Sequence, residues 1–214
     1  MLTVKQFTFN DFQENTYIII NEKKQCWIID PGMYRSSEEE KLFSFIEQQG
    51  LIPQAIINTH THLDHIFGVQ AVKDKYNITF GIHKDDEQVL KFAASSAAMF
   101  GIDFQQAPNA EFYIPEGAGY KLGDETIDVF HCPGHSPGSI VFYYAAGNWA
   151  VGGDVLFSGS IGRTDLPGGS FETLINSIQG KLFNLPDETK VYPGHGPYTT
   201  IGEEKISNPF CKLG

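Results

Sequence analysis

The chain has 214 residues, 41% of them hydrophobic and 19% charged, with a formal net charge of -11 and a sequence pI near 5.0. That length and balance suffice to close a sizeable core, and one domain over residues 1–214 is expected. No stripe of Lys or Arg can track phosphates, which argues against nucleic acid as a partner. Neither a basic-then-apolar leader at Met1-Leu2-Thr3-Val4-Lys5 nor a run of 18 apolar residues is present, so a soluble, cytoplasmic protein without a membrane partner is expected.

The first elements read as short strands: residues 2–9, 16–20 and 26–30, the last two separated by Asn21-Glu22-Lys23-Lys24, a hairpin signal. Asp30-Pro31-Gly32 ends the third strand sharply. Ser36 or Ser37 followed by Glu38-Glu39-Glu40 places acidic side chains at the positive end of a helix; Leu42, Phe43, Phe45 and Ile46 give it one apolar face, and Gly50 closes it. A buried strand at 54–58, a helix near 66–76, a strand at 78–82 and a helix from about 85 to 98 follow. This alternation implies parallel strands with helices outside. Beyond Glu111 strands dominate, at 112–114, 126–130, 139–144 and 148–151, before a helix around 170–183 and a strand at 190–192. Two mixed sheets face to face, with helices on both outer sides, are expected. The three cysteines, Cys26, Cys132 and Cys211, are widely spaced with no Cys-x-x-Cys pair, so a disulfide framework is not expected; Cys26 and Cys132 read as buried structural residues.

One segment resists this packing description. His60-Thr61-His62-Leu63-Asp64-His65 puts three imidazoles and a carboxylate at a strand-to-helix junction, where burial is costly unless each polar group finds a partner. A metal ion supplies that partner, against the competing reading of a polar turn with incidental histidines. Three later residues stand beside glycines just after strands: His135 in Pro133-Gly134-His135-Ser136-Pro137-Gly138, Asp154 in Gly152-Gly153-Asp154, and His195 in Pro193-Gly194-His195-Gly196-Pro197. Each alone reads as an ordinary loop residue. Together with the cluster they offer seven N and O donors suited to borderline and hard cations.

In this pattern the chain closely resembles the metallo-beta-lactamase superfamily, whose His-x-His-x-Asp-His, His, Asp, His series matches His60, His62, Asp64, His65, His135, Asp154 and His195. The resemblance implies a four-layer αββα sandwich and two divalent metals, zinc foremost with iron or manganese as alternatives. It assigns His60, His62 and His135 to one ion, Asp64, His65 and His195 to the other, and Asp154 to the bridge. Gly159-Ser160-Ile161-Gly162-Arg163-Thr164-Asp165-Leu166-Pro167-Gly168-Gly169 and Ser207-Asn208-Pro209-Phe210 are similar to short bacterial relatives of glyoxalase II, the hydroxyacylglutathione hydrolases. Two departures stand out: 19 residues follow His195, against a C-terminal helical domain in full-length glyoxalase II, and Asp165 stands where that family has a tyrosine.

What the resemblance implies chemically is hydrolysis of a small-molecule thioester or related acyl ester by a metal-bridged hydroxide, with Asp64 moving the proton and Arg163 gripping a substrate carboxylate. A pair between Arg163 and Asp165 that pins the loop is the competing role. The rival reaction is a mononuclear iron dioxygenase acting on a persulfide through His60, His135 and Asp154. A cysteine, common in true metallo-beta-lactamases where Asp154 stands, is missing, which disfavours lactam hydrolysis. His83 reads as a surface or hydrogen-bonded residue, and His131 as a support for His135 or as solvent-facing strand polarity.

Overall fold

The computed structural model describes residues 1–104 and 107–213. In chain order the first half contains β1 (Thr3–Phe9), β2 (Glu14–Ile20), β3 (Gln25–Ile29), α1 (Ser36–Gln48), β4 (Ile52–Ile57), α2 (Val69–Tyr76), β5 (Thr79–Ile82), α3 (Glu87–Met99) and β6 (Phe112–Tyr113). The second half contains β7 (Gly117–Leu122), β8 (Glu125–His131), β9 (Ile140–Tyr144), β10 (Trp149–Gly153), β11 (Leu156–Phe157), β12 (Ser160–Ile161), α4 (Phe171–Gly180), β13 (Lys190–Pro193), β14 (Thr199–Thr200) and α5 (Ile201–Ser207). One six-stranded sheet runs β1-β2-β3-β4-β5-β6, the other β14-β13-β10-β9-β8-β7, and β11 and β12 form a small ribbon.

Alternation along the strands builds three hydrophobic layers, and these make a four-layer αββα sandwich. In β2 and β3, Ile18, Cys26 and Ile28 point outward, into the layer shared with Leu42 and Ile46 of α1, Val69 and Val72 of α2 and Leu90 of α3. Their neighbours Tyr17, Ile19, Trp27 and Ile29 point the other way, against Ile140, Phe142, Tyr144, Trp149 and Val151 of the second sheet. The intervening Val141, Tyr143 and Ala150 face outward again, onto Leu174 and Ile178 of α4 and Ile201 of α5. A period of two is what lets each strand serve two cores at once.

Most expected elements are present, with shifts at their ends. The 66–76 helix begins only at Val69, because Leu63–His65 forms a 3-10 turn, and the helix expected from 85 begins at Glu87 after a similar turn at Lys84–Asp86. Strand β7, rich in glycine and exposed along most of its length, was not expected; it exists by pairing with β8 across a turn where Gly123 adopts φ +65°. Gly50, also at positive φ, follows α1 as expected, and Leu51 closes the helix end by donating to Ile46 O. All three cysteines are buried and unpaired. Among the described residues no helix is long and apolar enough to cross a membrane.

Strands β3, β4 and β5 are parallel, as are β10 and β13, so the loops leaving β3, β4, β10 and β13 emerge at shared sheet edges. At that edge the two sheets are tied: Ile140 N donates to Thr59 O at 2.8 Å, Asn15 N to Gly194 O at 2.7 Å, and Tyr17 OH to Pro193 O at 2.7 Å.

Candidate metal centre

All seven expected donors converge at this edge. His60, His62 and His135 bring one ring nitrogen each within 4.8 Å of one another, and Asp64, His65 and His195 do the same beside them. Asp154 lies between: its Oδ2 is 3.6 Å from His135 Nε2 and 3.5 Å from His195 Nε2, and its Oδ1 is 3.4 Å from His65 Nε2. Within the triads, His135 Nε2 is 2.8 Å from His62 Nδ1 and 3.2 Å from His60 Nε2, and Asp64 Oδ2 is 3.1 Å from His195 Nε2. Donors on a tetrahedral ion with bonds of about 2.0–2.1 Å lie roughly 3.3 Å apart. The observed separations straddle that value.

For four of the five rings, a hydrogen bond on the far side fixes which nitrogen faces the centre. His135 Nδ1 donates to Arg163 O at 2.8 Å, and His195 Nδ1 donates to Phe12 O at 3.0 Å. His65 Nδ1 lies 3.1 Å from Asp30 Oδ2, so it donates there. Thr59 Oγ1 donates to the same carboxylate at 2.6 Å and therefore accepts from His60 Nδ1 at 3.1 Å. In the neutral rings, four Nε2 lone pairs thus point inward at one another and at carboxylates. Lone pairs so arranged repel unless a cation sits among them. His65 Nε2 and Asp154 Oδ1 are moreover buried without any hydrogen-bond partner. A divalent ion is the partner that satisfies both, so the residues fit the metals expected of them.

The surroundings shift the imidazoles of the two triads in opposite directions. Burial, then the neighbouring His65 and His135, holds His60 well below the usual imidazole range, and burial with His135 pushes His62 down to about 3. Burial also opposes charge on His65 and His195. At His65, Asp64 and Asp154 outweigh it, and at His195 the bond to Asp64 does so, raising both. Burial likewise works against ionisation of Asp64, but His65 and His195 hold its carboxyl below the usual range.

Several supporting residues were not singled out as site residues from the sequence. Asp30, at φ +48° after β3, accepts from Thr59 N, Thr59 Oγ1 and His65 Nδ1, so one carboxylate orients a histidine of each triad. Glu14 lies fully buried behind His65, its carboxyl raised well above the usual range by burial. Asp86, wholly buried, accepts from Thr61 N, Ser136 Oγ and Gly138 N, strapping the loop of His60 and His62 to that of His135. The sequence signal for Asp30 was a carboxylate closing an apolar strand just before Pro-Gly; Glu14 and Asp86 carried none. Gly194 and Gly162 have steric reasons: a methyl group would overlap Asp154 at either position.

Arg163 lines the cavity above the centre, but its guanidinium makes a two-pronged contact with Asp165 at 2.8 and 2.8 Å. Its carbonyl, meanwhile, orients His135. His83 and His131 stack with centroids 4.0 Å apart and planes at 18°. With Asp85 they form a third group of potential donors, yet near-parallel rings send their in-plane lone pairs side by side rather than toward one ion. His131 Nε2 instead donates to Pro137 O at 2.8 Å, bracing the loop that carries His135.

The metallo-beta-lactamase superfamily model matches residues 9–195. A curated relative, hydroxyacylglutathione hydrolase GloC of Haemophilus influenzae, is 39% identical over 206 residues, covering 93% of each chain. Among solved structures, BLEG-1 B3 metallo-beta-lactamase shares 39% identity with TM-score 0.90, covering 99% of this chain and 100% of that one. TTHA1623 in a di-iron-bound form shares 37% identity with TM-score 0.85, covering 96% and 99%.

Proposed function

Because this chain belongs to the metallo-beta-lactamase superfamily and its curated relatives include metallo-hydrolases, we propose that it cleaves a small-molecule thioester or related acyl ester with two divalent ions, zinc foremost. His60, His62 and His135 would hold one ion and Asp64, His65 and His195 the other, with Asp154 shared. The Nε2 atoms of His65, His135 and His195 lying 3.4, 3.6 and 3.5 Å from the Asp154 carboxylate, with His65 Nε2 and Asp154 Oδ1 buried and unpartnered, support this reading. The name of the Haemophilus relative supports the ester class, and the di-iron form of TTHA1623 supports a pair of ions and keeps iron as an alternative.

Bound divalent ions supply a water that ionises near neutral pH and an electrophile for the carbonyl oxygen. The protein's own groups then do three things. Asp64, kept ionised by its two histidine neighbours, accepts the proton of the attacking water and can return it to the departing sulfur. Arg163 O and Asp30 keep the imidazoles turned inward, so no reorientation accompanies reaction. A cavity of about 890 Å³, bordered by His62, Asp64, His135 and His195, holds the ester beside them. A thiolate leaves with little protonation, which is why no further acid is needed.

A second reading has one observation in its favour: His60 Nε2 and Asp154 Oδ2 lie 3.2 and 3.6 Å from His135 Nε2, a two-histidine, one-carboxylate face of the kind that binds iron for oxygen chemistry. Metal analysis followed by a panel of thioesters, a beta-lactam, and a persulfide with oxygen uptake distinguishes the readings. Thioester turnover with up to two ions per chain is expected. Oxygen-dependent persulfide consumption without thioester turnover overturns the hydrolase reading, and preference for the lactam overturns the ester class.

A further inference from the structure

The cavity over the donor triads is walled on one side by a helix that is apolar on two faces. Leu90, Ala93 and Ala97 of α3 pack into the core and anchor it. Phe92 and Met99, with Phe100 at the helix end, turn the other way and line the cavity while remaining 62%, 86% and 66% exposed. Residues 92, 99 and 100 are seven and eight apart, a single stripe on a helix, and the fold obtains nothing from burying them. Phe12, Phe157 and Leu166 line the same cavity and add to its apolar surface. Such a contiguous exposed patch beside a reactive centre marks a binding surface.

The charges of the lining point the same way. Among the described residues, Asp85 is the one carboxylate bordering the cavity outside the donor triads and Asp154, and Arg163 is the one Lys or Arg bordering it. Its guanidinium is engaged on two nitrogens by Asp165. Away from the triads, an acyl chain bearing a carboxylate would meet Asp85 and a guanidinium that already has its counter-ion. An uncharged chain would meet four phenylalanine rings and a methionine, whose adaptable side chain suits varied apolar partners.

Resting on the thioesterase reading above, we propose that the substrate class is thioesters of apolar acyl chains, the carbonyl at the donor triads and the chain laid along Phe92, Met99 and Phe100 of the α3 face. Each buried methylene should strengthen binding by about 0.8 kcal/mol, roughly a fourfold gain. The test uses thioesters of a neutral thiol, N-acetylcysteamine, with straight acyl chains of about two to ten carbons, a span over which such per-methylene gains accumulate. In the metal-loaded wild type kcat/KM should climb by roughly two- to fourfold per carbon. Phe92→Ser and Met99→Ser should flatten that slope, mainly through KM, with losses growing as the chain lengthens. A terminal carboxylate on the acyl chain should cancel the gain.

A flat chain-length series, or improved turnover of the carboxylate-ended chain, overturns the proposal and leaves the thioesterase reading standing. Failure of every thioester alongside turnover of persulfide or lactam removes both. Sedimentation supplies a separate check: if the two serine variants disperse a dimer and keep the wild-type slope, the α3 face is a self-association surface instead, and the proposal falls.

Discussion

The two donor triads lie side by side around Asp154, yet their surroundings push their imidazoles in opposite directions. His60 and His62 are kept neutral by burial and by the histidines around them, so their lone pairs stand ready. Asp64 and Asp154 instead favour a proton on His65, and Asp64 favours one on His195, against the burial that opposes charge on both. Protons compete for the imidazoles of the second triad more strongly than for those of the first. The contrast traces to a single substitution in kind, a carboxylate in place of a third imidazole, which favours a proton on the neighbouring rings.

The largest effect should come from removing what the triads share. Asp154→Ala takes away the group that draws both together, and metal-ion stabilisation of charge in the transition state is worth several kcal/mol, so activity should fall by about a thousandfold or more and elemental analysis should show reduced loading at both positions. Full double loading of that variant would separate the triads and refute the bridge.

Next in size is Asp64→Asn, which keeps the shape but removes the charge that raises His65 and His195. Turnover should drop by at least about a hundredfold, the lower range for acid-base groups, while one tightly held ion remains at the histidine triad. Near-normal turnover with two ions bound would deny Asp64 its part in the chemistry.

The contrast also predicts how loading responds to pH. A proton on His65 or His195 competes with an ion, and because both folded-state values lie above the ordinary imidazole value, the competition persists toward neutral pH and fades as pH rises. His62, at about 3, offers no such competition above pH 5. Titration with zinc should therefore give about one ion per chain in mild acid and about two in mild base, with the weaker apparent affinity rising up to about tenfold per pH unit for each proton displaced. Equal pH dependence of both ions would erase the distinction between triads.

The smallest change is expected at the cavity rim. Arg163→Ala breaks an exposed pair with Asp165, worth no more than about 1 kcal/mol, and leaves the backbone carbonyl that orients His135. Metal content should not change, and kcat/KM for uncharged thioesters should shift by less than about fivefold. A large selective loss on carboxylate-bearing thioesters would show that the guanidinium leaves Asp165 for substrate.

The histidine-rich segment 60–65 and the glycine-flanked His135, Asp154 and His195 were legible because their residue types are expensive to place anywhere without a partner. The sandwich was legible because alternation in Ile18-Ile19 and Trp27-Ile28-Ile29 commits each strand to two buried faces. Strand β7 was not, since its glycines carry no alternation and only its partner β8 makes it a strand. Nor were Glu14, Asp86 and the double duty of Asp30, because nothing in a local stretch says which carboxylate lies behind which imidazole.

Chain order alone therefore determined which atoms could serve as donors and that strand ends would present them. Tertiary structure decided which nitrogen of His60, His65, His135 and His195 faces inward, which triad's surroundings favour protons, and that Arg163 is matched by Asp165. These depend on hydrogen bonds between residues as far apart as Phe12 and His195 or Asp30 and His65, and on burial that strengthens every charge contact. Such contacts exist only after the two sheets have closed upon each other.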